Sequence, residues 1–321
     1  MFSNILNQMI FLFSLIVIGI ILAKGKLLPE NSALVLSKLE NYLFVPALVL
    51  NTFIQNCSLE ALKECWKLLL MGVILLLVLI PLSYLFAKLI YKDEYLKKIA
   101  IYSLAFSNFG FVGNAIIQVA FPEIFFEYLV FSLVFWVGIY LWGAPVLLIE
   151  GRGAEGERLK FSKRIKDFLN PMMIAMIIGI FLGILGWGKY LPKGVQTVVR
   201  VSGDCMAPIA MLLTGLTVGK INLLSVFKKW QLHVATIIKL LVYPLLFILI
   251  FAFLPQNSFI EETFLICGLC VVAMPSGMNA IVIPAAYGKD TTEASALALI
   301  THLLAIGSLP LCFYLLQLFV L

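Results

Sequence analysis

The sequence predicts an all-α polytopic membrane protein whose ten transmembrane helices form two inverted five-helix repeats. Three observations predict this fold class. First, 62% of the 321 residues are hydrophobic and 12% are charged, whereas a soluble protein of this size needs more polar surface. Second, apolar runs of roughly 20 residues, long enough to span a bilayer as helices, recur along the chain. Third, the chain repeats itself at an offset of about half its length.

The repeat consists of three motifs of the first half that recur in the second half in the same order. They are GKLLP at 25–29 and GKYLP at 188–192, Pro46 and Pro208, and NAII at 114–117 and NAIV at 279–282. The offsets are 163, 162 and 165 residues. Self-similarity at a fixed offset indicates a duplicated unit, and in membrane chains it is typical of transporters. We predict that the two prolines kink spans 2 and 7.

Ten spans follow from the apolar runs, and the charged connections orient them. The spans are 5–23, 34–54, 68–90, 97–120, 124–149, 170–187, 198–218, 231–254, 262–286 and 294–320. The connections place sixteen Lys and Arg residues on one side and five on the other, namely Lys63, Lys67, Lys189, Lys193 and Arg200. By the positive-inside rule the first side is cytoplasmic, so both termini lie outside. This bias accounts for the net charge of +6 without a nucleic-acid partner.

The spans divide the chain into two halves and a linker. Residues 1–149 form the first repeat and residues 170–321 the second. Five spans in each half mean that the second half enters the membrane from the opposite face. The linker, residues 150–169, has an apolar helical face opposite clustered Lys and Arg, which predicts a basic amphipathic helix on the cytoplasmic surface. Gly179 and Gly183 in span 6 have the spacing of close helix packing.

Spans 4 and 9 are interrupted near their middles at matching repeat positions. Span 4 contains SNFGFVGN at 107–114, and span 9 contains AMPSGMN at 273–279. Gly and Pro weaken a helix, and irregular backbone at bilayer depth is tolerated where it lines a cavity or is packed in protein. Paired interruptions in inverted halves point to a transport site. The alternative is a pair of kinks that only shape helix packing.

The chemistry of the two interruptions favours an anion. A broken helix leaves N–H groups with partial positive charge, and neither segment contains an acidic residue. The candidate substrate-binding residues are Asn114, Asn279, Asn108, Ser107, Gly110, Pro275, Ser276 and Gly277. We therefore expect a small organic anion as substrate, with no cofactor and no metal. A sodium ion held by backbone and Asn carbonyl groups is the alternative.

Four ionisable residues in or near the spans are candidates for ion coupling or charge compensation, because charge is costly in a bilayer. They are Lys239, Asp204, Glu40 and His302. Lys239 either faces the substrate path or snorkels to the headgroups. We expect Asp204 and Glu40 at the membrane interface. We expect His302 to be packed and hydrogen-bonded.

Four motifs together resemble the auxin efflux carrier family, which includes the plant PIN carriers and bacterial malonate or malate permeases. They are NYLFVPAL at 41–48, SNFGFVGN at 107–114, APIAML at 207–212 and MPSGMNAI at 274–281, and they span nearly the whole chain. The resemblance implies a fold similar to bile-acid symporters and sodium/proton antiporters. Helices 1, 2, 6 and 7 would form a dimerising scaffold, and helices 3–5 and 8–10 a mobile transport domain. The family's crossover residues fall on Asn114, Asn279 and Pro275.

The chain also departs from the family pattern. Gly110 stands in the first repeat where Pro275 stands in the second, and the linker is far shorter than the regulatory loop of many plant carriers. The residues predict a secondary transporter of mono- or dicarboxylates, and the resemblance implies that it is an elevator-type homodimer in the bacterial inner membrane. The alternative is a sodium- or proton-coupled symporter or a cation/proton antiporter. An enzyme is not expected, because the chain has two histidines and no HExxH or GxSxG motif.

Overall fold

The computed structural model describes residues 2–149, 169–219, 229–254, 261–286 and 289–321. Within these ranges the backbone forms helices and connections, with one isolated antiparallel bridge between Ser107 and Ser276. The helices are α1 (Phe2–Lys24), α2 (Ser32–Asn56), α3 (Leu59–Ile90), α4a (Glu94–Ala105), α4b (Phe109–Ala120), α5 (Pro122–Leu148), α6 (Pro171–Ile184), α7 (Lys193–Gly219), α8 (Trp230–Phe253), α9a (Glu262–Ala273), α9b (Asn279–Ala286) and α10 (Thr292–Phe319). The predicted linker helix falls, apart from residue 169, outside the described residues.

Local sequence signals set several helix starts. Ser58, Asp93 and Asn170 precede α3, α4a and α6, and each accepts a hydrogen bond from the backbone N–H three residues later, at 3.0, 2.9 and 3.1 Å. These bonds satisfy N–H groups that the first helical turn leaves free. Pro122 and Pro171 occupy the first turns of α5 and α6, where a missing N–H costs nothing.

The described helices include membrane-spanning ones. α2, α3, α5, α7, α8 and α10 are long and apolar enough to cross a bilayer, whereas the apolar parts of α1, α4b, α6 and α9a have 10–17 residues. Eight predicted spans each coincide with one helix, and spans 4 and 9 each coincide with two; the largest differences in bounds are the earlier starts of α3 and α7. The helical membrane fold is therefore confirmed. The number of ten crossings and the inversion of the repeat stay predictions.

Glycines bring α1, α2, α6 and α7 into close contact. α1 crosses α7 at Gly19 and Gly215, where a Cβ atom built on Gly19 would lie 2.9 Å from the Gly215 Cα atom. α6 packs on α2 through Gly179 and Gly183, and a Cβ atom on Gly183 would lie 2.5 Å from the carbonyl oxygen of Phe53. A larger side chain at any of these positions would push the helices apart. The close packing predicted for Gly179 and Gly183 is confirmed.

The helices pack in two groups. The first contains α1, α2, α6 and α7, and the second contains α3, α4a, α4b, α5, α8, α9a, α9b and α10. Buried aromatic rings fill the second group, with ring centroids 5.7 Å apart for Phe109 and Phe135 and 6.1 Å apart for Phe131 and Phe264. The groups meet where α2 contacts α5 and where α1 and α7 contact α4b and α10. The broken helices therefore belong to the second group, and α4b lies against the first.

Candidate functional site

The two broken helices cross at their interruptions. α4a ends at Ala105 and α9a at Ala273, and the following residues are extended. The backbone N–H of Asn108 donates to the carbonyl oxygen of Pro275 at 2.7 Å, and that of Gly277 donates to the carbonyl oxygen of Phe106 at 3.2 Å. Hydrogen bonds between the two segments thus replace bonds that each helix loses at its break. The structure brings the two predicted segments together as a single crossover.

The residue types of the second repeat explain how the two crossover segments can approach each other so closely. Pro275 has no N–H to leave unpaired where the helix stops. A Cβ atom on Gly277 would lie 3.0 Å from the carbonyl oxygen of Ser107 and 3.2 Å from that of Phe106. A side chain at Gly277 would therefore press on the partner segment and weaken the crossing.

In the first repeat, glycines and a π-helical turn over Phe109–Gly113 stand where the second repeat has Pro275 and Gly277. A Cβ atom on Gly110 would lie 2.5 Å from Cζ2 of Trp136, and one on Gly113 would collide with the hydroxyl group of Tyr128. That hydroxyl group donates to the carbonyl oxygen of Phe109 at 2.9 Å. Because the two glycines have no side chains, aromatic side chains of α5 can pack directly against the turn. The sequence indicated the break but not the π-helical turn.

Polar groups without partners surround the crossover. Ser107, Asn114 and Ser276 are 4%, 1% and 1% exposed. Among the described residues, the Nδ2 atom of Asn114 and the Oγ atoms of Ser107 and Ser276 make no hydrogen bond. Asn279 is partly buried and lies beside the hydroxyl group of Tyr102. Buried polar groups are rarely left unpaired, so these donors are the strongest sign of a ligand site here.

α10 holds the crossover through His302 and Thr301. The Nδ1 atom of His302 lies 2.7 Å from the carbonyl oxygen of Ala298, which can only accept, so Nδ1 carries a proton. Nε2 of the neutral ring then accepts from the amide of Asn108 at 3.0 Å. The hydroxyl group of Thr301 accepts from the N–H of Ser276 at 3.2 Å. His302 is packed and hydrogen-bonded as expected, but the sequence did not indicate its place at the crossover, and Thr301 was missed.

Comparison with known families decides what kind of membrane protein carries this crossover. A family model described as membrane transport protein matches residues 4–313, almost the entire chain. The chain belongs to this family. It is the family of the auxin efflux carriers, so the resemblance is confirmed. No curated protein matches the chain significantly. Membership indicates an integral membrane transporter.

In this membrane transport protein, the contact between Asn108 and His302 suggests a test of whether the ring holds the amide in place. We expect His302→Leu to lower the initial rate of substrate uptake by at least about tenfold, because the Asn108 amide loses its acceptor and can leave its place in the crossover. His302→Gln supplies a carbonyl oxygen as acceptor and should restore much of the rate. The measurement is uptake into proteoliposomes. Equal rates for both variants would show that the ring acts only by packing.

Lys239 of the transporter is buried and does not snorkel. Its side chain is 1% exposed, and Nζ donates to the carbonyl oxygen of Leu104 at 3.0 Å. Leu104 lies in the last turn of α4a, so the ammonium group meets the negative end of that helix. A π-helical turn over Ile238–Val242 carries Lys239, and such turns often occur at functional sites. The snorkelling alternative is therefore wrong, and Lys239 lies beside the crossover.

Glu40 and Asp204 have different surroundings. Glu40 is 0% exposed, and neither carboxyl oxygen has a partner among the described residues. The side chain is enclosed by protein where α2 packs on α6 and α7, and its expected place at the membrane interface stays a prediction. Asp204 is exposed, and its Oδ2 atom lies 3.8 Å from Nη1 of Arg200. Neither carboxyl group takes part in the crossover contacts described above.

Pro46 and Pro208 each follow an irregular turn of the transporter. Pro46 lies in the first turn of the α-helical part of α2, directly after a π-helical turn over Glu40–Phe44. Pro208 follows the interruption of α7 at Cys205. Both irregularities lie in the first group of helices. The predicted role of the two prolines as kinks in spans 2 and 7 stays a prediction.

Two cavities lie between the two groups of helices. One of about 250 Å³ is lined by Asn41 and Tyr42 of α2, Gly110 of α4b and Trp136 of α5. Another of about 310 Å³ is lined by Gln118 of α4b together with Asn51, Glu123, Glu127 and Asp204. Asn114 lies between Gly110 and Gln118 along α4b. Of the candidate substrate-binding residues, Gly110 alone is among the lining residues of these two cavities.

Proposed function

We propose that this protein is a secondary transporter of small organic anions, mono- or dicarboxylates, which bind at the crossover. The observation that carries the proposal is the set of buried neutral donors without partners, on Asn114, Ser107 and Ser276. Carboxylate oxygens are acceptors that match such donors. Since neither broken segment contains Asp or Glu, no fixed negative charge in them opposes an anion.

The electrostatics of the helix ends support the same ligand class. α4b and α9b both begin at the crossover, and helix N-termini attract negative charge. α4a and α9a end there too, and their C-terminal ends would repel an anion. Lys239 offsets the end of α4a through its hydrogen bond to Leu104. The two helix N-termini and Lys239 are therefore the groups that would attract a carboxylate.

For the transport cycle we propose alternating access of the elevator type. The first group of helices would act as a dimerising scaffold, and the second would carry the crossover past it. The packing of the helices in two groups, and a cavity between the groups near each end of α4b, support this division. A location in the bacterial inner membrane with both termini outside is the corresponding proposal from the charge bias.

A second candidate function is a sodium- or proton-coupled symporter or a cation/proton antiporter. The observation that favours coupling is the cavity of about 310 Å³, whose lining includes Glu123, Glu127 and Asp204. Among the described residues, Oε2 of Glu127 and Oε1 of Gln118 make no hydrogen bond. Carboxyl groups can bind protons, and carboxylate and amide oxygens are ligands of hard cations.

The proposal is tested by uptake into proteoliposomes of radiolabelled malonate, malate, succinate and pyruvate, with and without sodium and at two pH values. We expect counterflow of at least one of these carboxylates. If sodium or protons are coupled, Glu127→Gln should weaken the ion dependence, and the exposed Glu60→Gln should not. Sodium or proton flux without any carboxylate counterflow would contradict anion transport and support the second candidate function.

A further inference from the structure

A larger cavity lies away from the crossover, at the predicted outer ends of α2, α6 and α7. Its volume is about 720 Å³, and none of its lining residues belongs to α4a, α4b, α9a or α9b. This volume is within the range of roughly 300–1,000 Å³ that small-molecule sites occupy. The proposed transport site does not account for it.

The charges on this outer cavity are all positive. Three of the five Lys and Arg residues on the predicted outer side line it, namely Lys189, Lys193 and Arg200, and its lining contains no Asp or Glu. Lys193 and Arg200 are seven residues apart and share one face of α7 with Gln196 and Thr197. One polar helix face therefore presents two cations and two neutral groups to the cavity.

Neutral donors and a fixed loop complete the lining. On α2, Oδ1 of Asn51 accepts from Nε2 of Gln55 at 3.1 Å, which leaves the Asn51 N–H groups free among the described residues. On α7, Nε2 of Gln196 donates to the carbonyl oxygen of Leu191 at 2.7 Å and to that of Gly188 at 3.3 Å. This second contact fixes the loop that carries Lys189 close to α7.

The positive charges of the cavity have little counter-charge. Lys193 makes no ion pair or hydrogen bond within the described part of the chain. Nζ of Lys189 lies 5.2 Å from the ring centroid of Tyr190, a contact that leaves its charge in place. Arg200 pairs with Asp204 at 3.8 Å, but the two side chains are 58% and 60% exposed, and exposed pairs contribute little.

We propose that the outer cavity is a second anion site, which binds carboxylate or phosphate oxygens through Lys189, Lys193 and Arg200. Cations in a concave surface raise the local concentration of anions, and Arg is suited to two-point contact with either group. The anion could be a small solute or the phosphate of an anionic lipid. Exposed Val195, Val198 and Val201 on α7 provide an apolar surface next to the cavity for lipid chains.

The site would also be connected to the cavity of about 310 Å³. Asn51, Gln55 and Asn56 line both cavities, and Asp204 of the smaller cavity is the partner of Arg200. An anion on Arg200 would compete with the Asp204 carboxylate. Occupancy of the outer cavity should therefore free a carboxyl group on the wall of the smaller cavity.

The test uses purified full-length protein in neutral detergent, titrated with succinate and, separately, with inorganic phosphate. Trp187 lies between Gly186 and Gly188, which line the cavity, and is 55% exposed, so its fluorescence reports occupancy. Comparison with the variant Trp187→Phe shows which part of the fluorescence change comes from Trp187. The double variant Lys193→Gln, Arg200→Gln should raise the half-saturating concentration at least tenfold. Lys63→Gln, which removes an exposed lysine on the same predicted side outside the cavity, should leave it unchanged.

Nanodiscs of phosphatidylcholine, prepared with and without phosphatidylglycerol, distinguish a dissolved anion from the phosphate of an anionic lipid. If lipid phosphate fills the cavity, phosphatidylglycerol should suppress the titration; if the ligand is a solute, both discs should titrate alike. The titration should persist in Asn279→Ala, so failure of the transport proposal would not remove it. A signal that does not saturate, or equal effects of Lys63→Gln and the double variant, would overturn the second anion site.

Discussion

Replacing Asn114 or Asn279 by Ala is expected to lower carboxylate uptake at least about tenfold while leaving the transporter folded. Asn114 is 1% exposed, and its Nδ2 atom makes no hydrogen bond among the described residues. Truncation therefore removes no protein hydrogen bond from Nδ2, but it removes a donor that we assign to the substrate. A hydrogen bond to a charged group contributes about 1.5–3 kcal/mol. Each variant should therefore lose about 10- to 150-fold in transport efficiency.

The measurement is initial uptake of the carboxylate that shows counterflow, in proteoliposomes with matched protein amounts. Asn31→Ala is the matched control, because Asn31 is exposed and its side chain caps no helix. Melting temperature and elution volume verify that each variant is folded. Uptake at the wild-type rate in both Asn114→Ala and Asn279→Ala would remove these residues from the site.

The second large effect is expected for Lys239→Met, which should lower carboxylate uptake at least about tenfold with little loss of stability. A buried ammonium group carries a desolvation cost, and Lys239 makes no ion pair in the described part of the chain. Met removes that cost but leaves the Leu104 carbonyl group without its donor, and these changes offset each other. The uncompensated end of α4a would then repel the anion.

The comparison for Lys239→Met combines uptake with melting temperature. We expect a shift of no more than about 4 °C, which corresponds to roughly 1 kcal/mol for a large domain. Lys38→Met is the control, since Lys38 lies in α2 and is exposed. A large fall in melting temperature together with unchanged uptake by the folded fraction would show that Lys239 only stabilises the fold.

The sequence predicted the interruptions because Gly and Pro have local effects that a single chain reveals. The segments around Asn108 and Pro275 were recognised from residue types and their matching positions in the repeat, and the structure joins them by backbone hydrogen bonds. Helix starts at Ser58, Asp93 and Asn170 likewise follow from side chains that bond their own backbone. Such features depend on neighbours in the sequence and are therefore predictable.

The contacts made across the fold were not predictable in this way. Whether Lys239 snorkels depends on which neighbour its side chain meets, and its acceptor is 135 residues away. His302 contacts Asn108 across 194 residues, and Glu40 is buried because α6 and α7 cover it. The sequence pattern of an apolar helix with one polar residue is the same whether that residue faces lipid or protein, so the pattern does not predict what the residue contacts. Thr301, which directly precedes His302, was a second polar residue that could have indicated a polar region in this part of α10.

Direct binding of the transported carboxylate to purified protein tests the crossover site without the complication of translocation. Isothermal titration would be run on the wild-type protein, Asn114→Ala and Asn31→Ala, each with Lys193→Gln and Arg200→Gln in the background to silence the outer cavity. We predict saturable binding that Asn114→Ala weakens at least about tenfold and Asn31→Ala leaves unchanged. Equal dissociation constants for all three proteins would contradict an anion site at the crossover.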